Sequence, residues 1–339
     1  MELRFLPVAL SAALGFVLTL MIGKLVLEEL RALRAGQEIR GDGPKWHAAK
    51  AGTPTMGGLM FILGSGAAVL AIALPYLAAG SFVPFYVYLF ALAFGAIGFL
   101  DDFQKVRRHQ NEGLTAKQKF VLQLAMAVVF LSVMRYGGHL SNALYLPVLN
   151  INIKINWYLY LIFAAFVIVG CVNAVNITDG VDGLAGSVTL MVMIFFALCG
   201  VFVERFLVHG LFPAALAGGL LAFLIYNHHP AKIFMGDTGS LFLGGAVAAL
   251  AFALDMPLIL IPIGIIYISE TMSDIIQVSW FKYTRRKTGT GKRIFKMAPL
   301  HHHLELCGWS ENQLCVRFSV ITAIGCILAW FAVMARYGA

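Results

Sequence analysis

Long apolar runs separated by short polar segments fill almost the whole chain. Ten runs are long enough to cross the roughly 30 Å hydrocarbon core of a bilayer as helices. They are centred near residues 15, 66, 91, 128, 166, 195, 218, 247, 268 and 325. No small-residue cleavage site follows the first run, residues 5–27, so we expect a transmembrane helix there rather than a removed signal peptide. The pattern predicts an all-α integral membrane protein, with residues 1–339 forming a single domain of ten transmembrane helices.

Lysine and arginine are distributed unevenly between the two sides of this predicted bundle. The connections after odd-numbered runs carry eighteen of them, and the opposite side carries five. Because basic residues concentrate in cytoplasmic loops, the N and C termini are both predicted to lie outside. In one outer connection, residues 143–156, apolar and polar positions alternate, which predicts a small periplasmic β-hairpin.

Composition agrees with a membrane protein. Hydrophobic residues make up 60% of the 339 positions and charged residues only 12%, against roughly 25% charged in soluble domains. Five cysteines form no C-x-x-C pair, so they predict neither a metal site nor a disulfide framework. The net charge of +8 follows from the basic connections, and no nucleic-acid partner is expected.

The most polar stretch beside apolar runs is N-A-V-N-I-T-D-G-V-D-G-L-A-G, residues 173–186. Asn176, Asp179 and Asp182 recur every three residues, so a helical or 3₁₀ segment would place them on one face. Ionisable groups at the edge of lipid are costly and tend to mark function. The alternative is a polar turn between two membrane helices, which needs glycine and asparagine but not two aspartates.

Two further acidic motifs stand at span ends. Asp101 and Asp102 end the third span, where they could bind metal or transfer protons, or simply be neutralised by the basic residues that follow. Asp237 lies between glycines just before another span, where it could cap the helix or ligate Mg²⁺ with phosphate oxygens.

Lysines and histidines lie on the same predicted side of the membrane as these acidic motifs. Lys50 precedes the T-P-T-M-G-G segment that contains Thr55, and Lys117 precedes the fourth span. Three adjacent histidines, residues 301–303, suit phosphate binding or proton handling better than zinc. Carboxylates, lysines and a metal at one depth are what phosphoryl transfer from a charged donor to a lipid acceptor requires.

Five motifs in order resemble a known family. They are D-G-P-K-W-H-x-x-K-A-G-T-P-T-M-G-G (42–58), G-F-L-D-D (98–102), N-A-V-N-I-T-D-G-V-D-G-L-A (173–185), F-M-G-D-T-G-S-L (234–241) and M-A-P-L-H-H-H-L-E-L-C-G-W (297–309). The chain resembles the phospho-MurNAc-pentapeptide translocases, a branch of the polyprenyl-phosphate N-acetylhexosamine 1-phosphate transferases. The resemblance covers nearly the whole chain from residue 36 onward.

The resemblance implies a reaction in peptidoglycan synthesis at the bacterial plasma (inner) membrane. Undecaprenyl phosphate would attack the β-phosphate of UDP-MurNAc-pentapeptide, giving lipid I and UMP with Mg²⁺ as cofactor. The resemblance also implies an active site on the cytoplasmic face, a homodimer and inhibition by uridine-containing nucleosides.

Roles for individual residues are likewise implied by the resemblance. Asp101 would be the base on the lipid phosphate, and Asp102 its acidic neighbour at the metal or phosphates beside the Mg²⁺ ligand Asp237. The remaining assignments are Asn176, Asp179 and Asp182 in the nucleotide site, with Asp182 near uracil; Asn227, Phe234 and Gly236 shaping that pocket; Lys50, Thr55 and Lys117 as cationic and hydroxyl contacts; and His301, His302 and His303 on the phosphate side.

Two alternatives remain open at this level. One is a sibling enzyme that transfers GlcNAc-1-phosphate, and the other is a transporter or lipid flippase. A transporter predicts ionisable residues in the middle of several spans, where only Lys24, Glu270, Asp274 and Arg317 come near. The sequence gives no account of Asp274, and the adjacent aspartates are compatible with both direct displacement and a covalent phospho-aspartate.

Overall fold

The computed structural model describes residues 2–33, 50, 52–108, 110 and 112–338. Residues 42–49 of the first motif lie outside the described residues, as do Arg34, Arg40 and Lys45 of the basic count. The helices and strands in chain order are α1 (Glu2–Ala32), α2 (Gly58–Ala78), α3 (Val83–Arg108), α4 (Ala116–Tyr136), β1 (Ala143–Leu146), β2 (Ile151–Lys154), α5 (Trp157–Thr178), α6 (Leu184–Phe202), α7 (Leu207–Asn227), α8 (Gly236–Ala253), α9 (Leu260–Ile263), α10 (Ile265–Thr288), α11 (Leu300–Glu305) and α12 (Glu311–Tyr337).

The predicted all-α membrane architecture is confirmed. Within the described part of the chain, nine helices are long and apolar enough to cross a membrane. The tenth predicted span, centred near residue 268, is not one straight helix: the segments Pro257–Ile263 and Ile265–Thr288 meet at an angle of 81°. Because of this bend, α10 does not continue in the direction of α9, and the polar residues of α10 do not lie along one straight helix with α9.

Helix α8 lies at the centre of the bundle. Its most apolar window is 89% buried within the protein, whereas that of α1 is only 22% buried. Every residue of α8 from Thr238 to Ala253 is buried, and α3 and α5 pack against it. The N-terminus of α8, which carries Asp237, is therefore held by its neighbours on several sides.

The predicted hairpin between α4 and α5 is present. Strands β1 and β2 pair antiparallel, with Ala143 opposite Lys154 and Leu146 opposite Ile151. Asn150 has a positive φ of 52° in the connecting turn, a conformation that asparagine tolerates better than most residues.

Both ends of the chain lie at the hairpin end of the bundle. Arg4, near the start of α1, pairs with Glu204 at 2.8 Å, and Arg336, near the end of α12, pairs with Asp255 at 2.8 Å. Ser141, beside the hairpin, donates a hydrogen bond to the same Asp255 carboxylate at 3.0 Å. The segments that contain the predicted site residues therefore meet at the opposite end.

Candidate active site

The aspartate pair ends α3 with its two side chains directed at different partners. Asp101 and Asp102 are both buried, and neighbouring residues on a helix point about 100° apart. The Oδ1 atom of Asp101 accepts a hydrogen bond from the backbone N–H of Leu114 at 2.7 Å. Its Oδ2 atom pairs with Lys105, one helical turn further on, at 2.6 Å.

Asp102 anchors the N-terminus of α8. Its Oδ2 atom accepts hydrogen bonds from the backbone N–H of Thr238 at 2.8 Å and from the Thr238 hydroxyl at 2.7 Å. Its Oδ1 atom accepts one from the backbone N–H of Asp237 at 3.2 Å. A carboxylate at this position satisfies helix-start amides that have no partner in their own helix, so Asp102 locks the ends of α3 and α8 together.

Gly236 makes this close approach possible. Its φ is +69°, and a Cβ atom there would lie 2.5 Å from Asp102 Oδ2 and 2.8 Å from Thr55 Oγ1. Glycine adopts this backbone conformation without steric cost. The residue thus brings Thr55, Asp102 and the start of α8 into contact.

Three carboxylates and two lysines form what we call the carboxylate–lysine cluster: Asp101, Asp102, Asp237, Lys105 and Lys119. Asp237 Oδ2 accepts from Lys119 at 2.6 Å and from Lys105 at 3.0 Å. Lys119 also pairs with Asp101 Oδ2 at 3.0 Å. The two ammonium groups thus lie between carboxylates that would otherwise repel one another.

Asn176 joins this cluster from α5. Its side-chain amide donates to Asp237 Oδ1 and to the Ser240 hydroxyl, both at 2.8 Å. Both oxygens of Asp237 are therefore held, one by an amide and the other by two lysines.

Lys119 was missed by the sequence reasoning, which had selected Lys117. Lys117 is exposed, and the structure does not bring it into the cluster. A capping box between Thr115 and Gln118 starts α4, and Lys119 follows one position later with its ammonium on two carboxylates. The capping box was readable in the sequence, but which of two nearby lysines faces the aspartates depends on how α4 is rotated.

A second group, here named the Asp182 cluster, consists of Asp182, Lys50, His229 and Glu311. Lys50 donates to Asp182 Oδ1 and to Glu311 Oε2, both at 2.7 Å. His229 Nδ1 lies 3.0 Å from Asp182 Oδ2, and Glu311 Oε2 also accepts the backbone N–H of Asp182 at 2.8 Å. Glu311 and His229 were missed because they belong to segments far from Asp182 in sequence.

Electrostatics hold Asp182 in its ionised form. Burial alone raises the pKa of the Asp182 carboxyl, but hydrogen bonds from Lys50, from the backbone N–H of Ala231 and from His229 outweigh it and lower the pKa below its ordinary value. Asp182 is therefore an anion whose oxygens are already occupied by protein donors.

Asn227 and Phe234 tie the surrounding loops together. Asn227 Oδ1 accepts the backbone N–H of Gly183 at 3.1 Å, and its amide donates to the Ile233 carbonyl at 2.8 Å. The Phe234 backbone N–H donates to the Pro54 carbonyl at 2.8 Å, beside Thr55. These bonds fix the 179–183 turn, the 228–235 loop and the segment before α2 against one another.

Asp179 lies between the two clusters. Burial, together with the negative charges of Asp237, Asp102 and Asp182, raises the pKa of its carboxyl to about 8. The turn between α5 and α6 therefore carries a carboxyl that is largely protonated near neutral pH, flanked on two sides by ionised groups.

The three histidines have three different environments. His301 is buried, with Nδ1 2.9 Å from Glu270 Oε2. His302 Nδ1 lies 2.8 Å from Glu305 Oε2, and His303 Nδ1 accepts the backbone N–H of Lys296 at 3.1 Å. The triplet therefore does not act as one set, and His301 is the member that contacts the 179–183 turn, at Gly180.

Asp274, which had no sequence-based account, lies one helical turn beyond Glu270 on α10. Residues four apart share a helix face, so Asp274 lies on the side of α10 that faces His301, half-buried. No described contact gives it a defined role.

Both clusters could hold a metal ion. Asp101, Asp102 and Asp237 each offer an oxygen, and these atoms lie within 4.8 Å of one another. Asp182, His229 and Glu311 meet the same criterion, but that group mixes an imidazole nitrogen with its carboxylate oxygens. The carboxylate–lysine cluster presents only carboxylate oxygens, the ligand type that hard divalent cations such as Mg²⁺ prefer.

Comparison with known families defines the class of protein. The sequence model of glycosyl transferase family 4 matches residues 84–255, which include all three aspartates of the carboxylate–lysine cluster. Signature 1 of the phospho-N-acetylmuramoyl-pentapeptide-transferases matches residues 50–62, which include Lys50 and Thr55. The chain is thus a multi-pass membrane transferase.

Full-length relatives narrow the class. The chain is 46% identical over 329 residues to a phospho-N-acetylmuramoyl-pentapeptide-transferase of Clostridium botulinum (strain Eklund 17B / Type B), covering 96% of this chain and 97% of the relative. It is 44% identical over 327 residues to that of Thermoanaerobacter sp. (strain X514), covering 96% and 98%. The corresponding protein of Caldanaerobacter subterraneus subsp. tengcongensis is 42% identical over 327 residues, covering 95% and 97%. The chain belongs to the phospho-N-acetylmuramoyl-pentapeptide-transferase family.

Proposed function

We propose that this protein transfers phospho-MurNAc-pentapeptide from UDP-MurNAc-pentapeptide to undecaprenyl phosphate, forming lipid I and UMP. The observation that carries the proposal is the carboxylate–lysine cluster in a chain whose full-length relatives bear this enzyme's name. An oxygen of the lipid phosphate bonds to the β-phosphorus, the bridging P–O bond breaks, and its electrons leave on UMP. We favour this single displacement over a covalent phospho-aspartate.

The two lysines supply positive charge where the displacement develops negative charge. Lys105 and Lys119 reach the same oxygen of Asp237 from different helices, so their positions are fixed before substrate enters. Preorganised donors of this kind are among the largest contributions to catalysis. Asp101, whose Oδ2 faces both lysines, is the proposed base on the lipid phosphate.

Mg²⁺ is the proposed cofactor, held by Asp237 with Asp102. The three clustered carboxylates fit it, because Mg²⁺ takes one or two carboxylates together with waters and phosphate oxygens. When bound, the ion neutralises charge on the diphosphate. The chain itself orients Asp237 through Asn176 and fixes Asp102 on the α8 amides.

The nucleoside part of the donor is proposed to bind at the Asp182 cluster. Asp182 is assigned to the uracil, with Asn227, Phe234 and Gly236 shaping the pocket and Lys50 and Thr55 at its entrance. Asn176, Asp179 and the phosphate-side His301, His302 and His303 complete the proposed site, and Lys117 is left out because it is exposed. Uridine-containing nucleosides are expected to inhibit by competing here.

The site is proposed to face the cytoplasm of a bacterial inner membrane. The excess of lysine and arginine in the connections on the site end supports this orientation, as does the need to meet a water-soluble nucleotide donor. A homodimer is proposed on the family resemblance alone.

The test is release of UMP by the purified protein in detergent, with undecaprenyl phosphate and Mg²⁺. Release from UDP-MurNAc-pentapeptide that chelation abolishes and Mg²⁺ restores supports the proposal, and Asp237→Ala should lose it. Release with UDP-GlcNAc instead would assign the sibling reaction. A folded protein that releases UMP from neither donor would refute the proposal that the protein is a transferase of this kind.

A further inference from the structure

Glu270 is a buried carboxylate in the second turn of α10 that the proposed reaction does not use. Its exposed fraction is 0%, and an acid in an apolar span is costly unless it is paired. Its oxygens receive the backbone N–H of His301 at 3.2 and 3.3 Å, and Oε2 lies 2.9 Å from His301 Nδ1. The Glu270 carboxylate therefore contacts both the backbone and the side chain of His301.

The other ring nitrogen of His301 has no partner among the described residues. His301 is 1% exposed, and its Nε2 atom is buried without a hydrogen bond. A buried polar atom left without a hydrogen bond is unfavourable unless a ligand satisfies it. Because Nδ1 is bonded to Glu270, Nε2 is the ring atom left for a ligand.

The position of Nε2 is set by Gly180. A Cβ atom on Gly180 would collide with His301 Nε2, so the ring lies directly against the backbone of the 179–183 turn. The pKa of the neighbouring Asp179 is raised by charges in both clusters, those of Asp237 and of Asp182. His301 Nε2 thus faces the region between the proposed phosphoryl and nucleoside sites, which a diphosphate must span.

We propose that Glu270 is a positioning residue that holds the His301 imidazolium so that Nε2 donates a hydrogen bond to a diphosphate oxygen of the donor substrate. This inference rests on the proposed function, since it assigns a contact within the same site. The Glu270 carboxylate contacts both the backbone N–H and Nδ1 of His301, and this two-point contact prevents rotation of the ring. His301 touches the substrate, whereas Glu270 acts through His301.

The first measurement compares kcat and KM of Glu270→Gln with those of the wild type. Removing the carboxylate that orients a metal-bound histidine costs about 10- to 100-fold, and we expect a loss of that order in kcat/KM for the UDP donor.

Asp274→Asn is the matched control, since it removes an acid one turn away that makes no described bond to His301. It should stay within about twofold of wild type. A double-mutant cycle separates positioning from mere support of the fold. In a His301→Asn background, Glu270→Gln should cost less than about threefold; an equal cost in both backgrounds, or a Glu270→Gln variant with wild-type kcat/KM, overturns the inference.

A measurement that does not need turnover keeps this inference separate from the proposed function. The protein has nine histidines, and the ¹⁵N resonances of His301 are those lost in His301→Asn. Glu270→Gln should change the ¹⁵N chemical shifts of the His301 ring, and UDP should shift the Nε2 resonance of the wild type. Wild type inactive with both donors would refute the proposed function, whereas a His301 signal indifferent to Glu270→Gln or to UDP would refute the inference.

Discussion

Replacing Lys119 by methionine tests the carboxylate–lysine cluster most directly. The substitution keeps much of the side-chain length but leaves Asp101, Asp102 and Asp237 with Lys105 as the remaining ammonium within the cluster. Lys119 lies 2.6 Å from Asp237 Oδ2 and 3.0 Å from Asp101 Oδ2. The variant therefore loses two charged contacts at once.

The expected losses of stability and of kcat in Lys119→Met follow from the position of the Lys119 ammonium group. Breaking a buried ion pair by removing one partner costs about 3–5 kcal/mol, and the Lys119 side chain is 23% exposed, so we expect a stability loss at or below the lower end. If the ammonium also stabilises charge on the transferring phosphoryl group, kcat should fall by about 10²–10³, or about 3–4 kcal/mol in barrier height. KM for the UDP donor should change far less.

The assay is UMP release under saturating lipid and donor, with Mg²⁺ varied. Lys117→Met is the control, because Lys117 is on the same helix, two positions away and exposed, and it should retain wild-type kcat. If high Mg²⁺ restored full kcat to Lys119→Met, the lysine would be a replaceable counter-ion and the argument for its catalytic role would be refuted. Equal losses in both variants would also refute it.

Three other substitutions probe the rest of the site. Glu311→Gln weakens the acceptor of the hydrogen bonds from Lys50 and from the Asp182 backbone N–H. Steady-state kinetics should show KM for the UDP donor rising about tenfold, the order expected for losing about 1–2 kcal/mol of binding free energy. The kcat value should stay nearly constant. Gly236→Ala forces a Cβ into Asp102 at a φ of +69° and should lower both the melting temperature and kcat; an unchanged melting temperature would contradict the close approach. Asp179 has a folded-state pKa raised from 3.8 to about 8, so the folded protein retains a proton that the unfolded chain releases. The stability it contributes is full below pH 3.8 and is lost as pH rises towards 8; melting scans should show this fall in the wild type and a flatter curve in Asp179→Asn.

The helices were predictable because lipid imposes a simple requirement on the backbone. Hydrogen bonds must be satisfied within each apolar segment, so the runs in the sequence mark the helices, and the alternation in 143–156 marks the hairpin. The bend before α10 was not predicted. Its run continues through Gly264, and only packing of the finished bundle decides that Pro257–Ile263 and Ile265–Thr288 meet at 81°.

The site was predictable where chemistry concentrates in one segment and not where it depends on pairing between distant segments. Asp101, Asp102 and Asp237 stand at span ends in polar motifs, and the structure brings them together. Glu311 and Lys119 were missed, since each is an ordinary helix-start residue until its partner is known. Lys50 and Glu311, for example, meet across 261 residues of chain.

The transporter alternative weakens once the mid-span ionisable residues are placed. Glu270 is engaged by His301 at 2.9 Å, which ties it to the site end of the bundle rather than to a path through its middle. Arg317 stacks on the ring of Trp309 at 4.1 Å, and Trp309 lies just before the start of α12, again at the site end. Lys24 is exposed on α1, where a long side chain can extend toward the membrane surface. A transport pathway needs ionisable groups facing a cavity at the midplane, whereas Glu270, Arg317 and Lys24 lie toward the end of the bundle that carries the candidate site or on its outside.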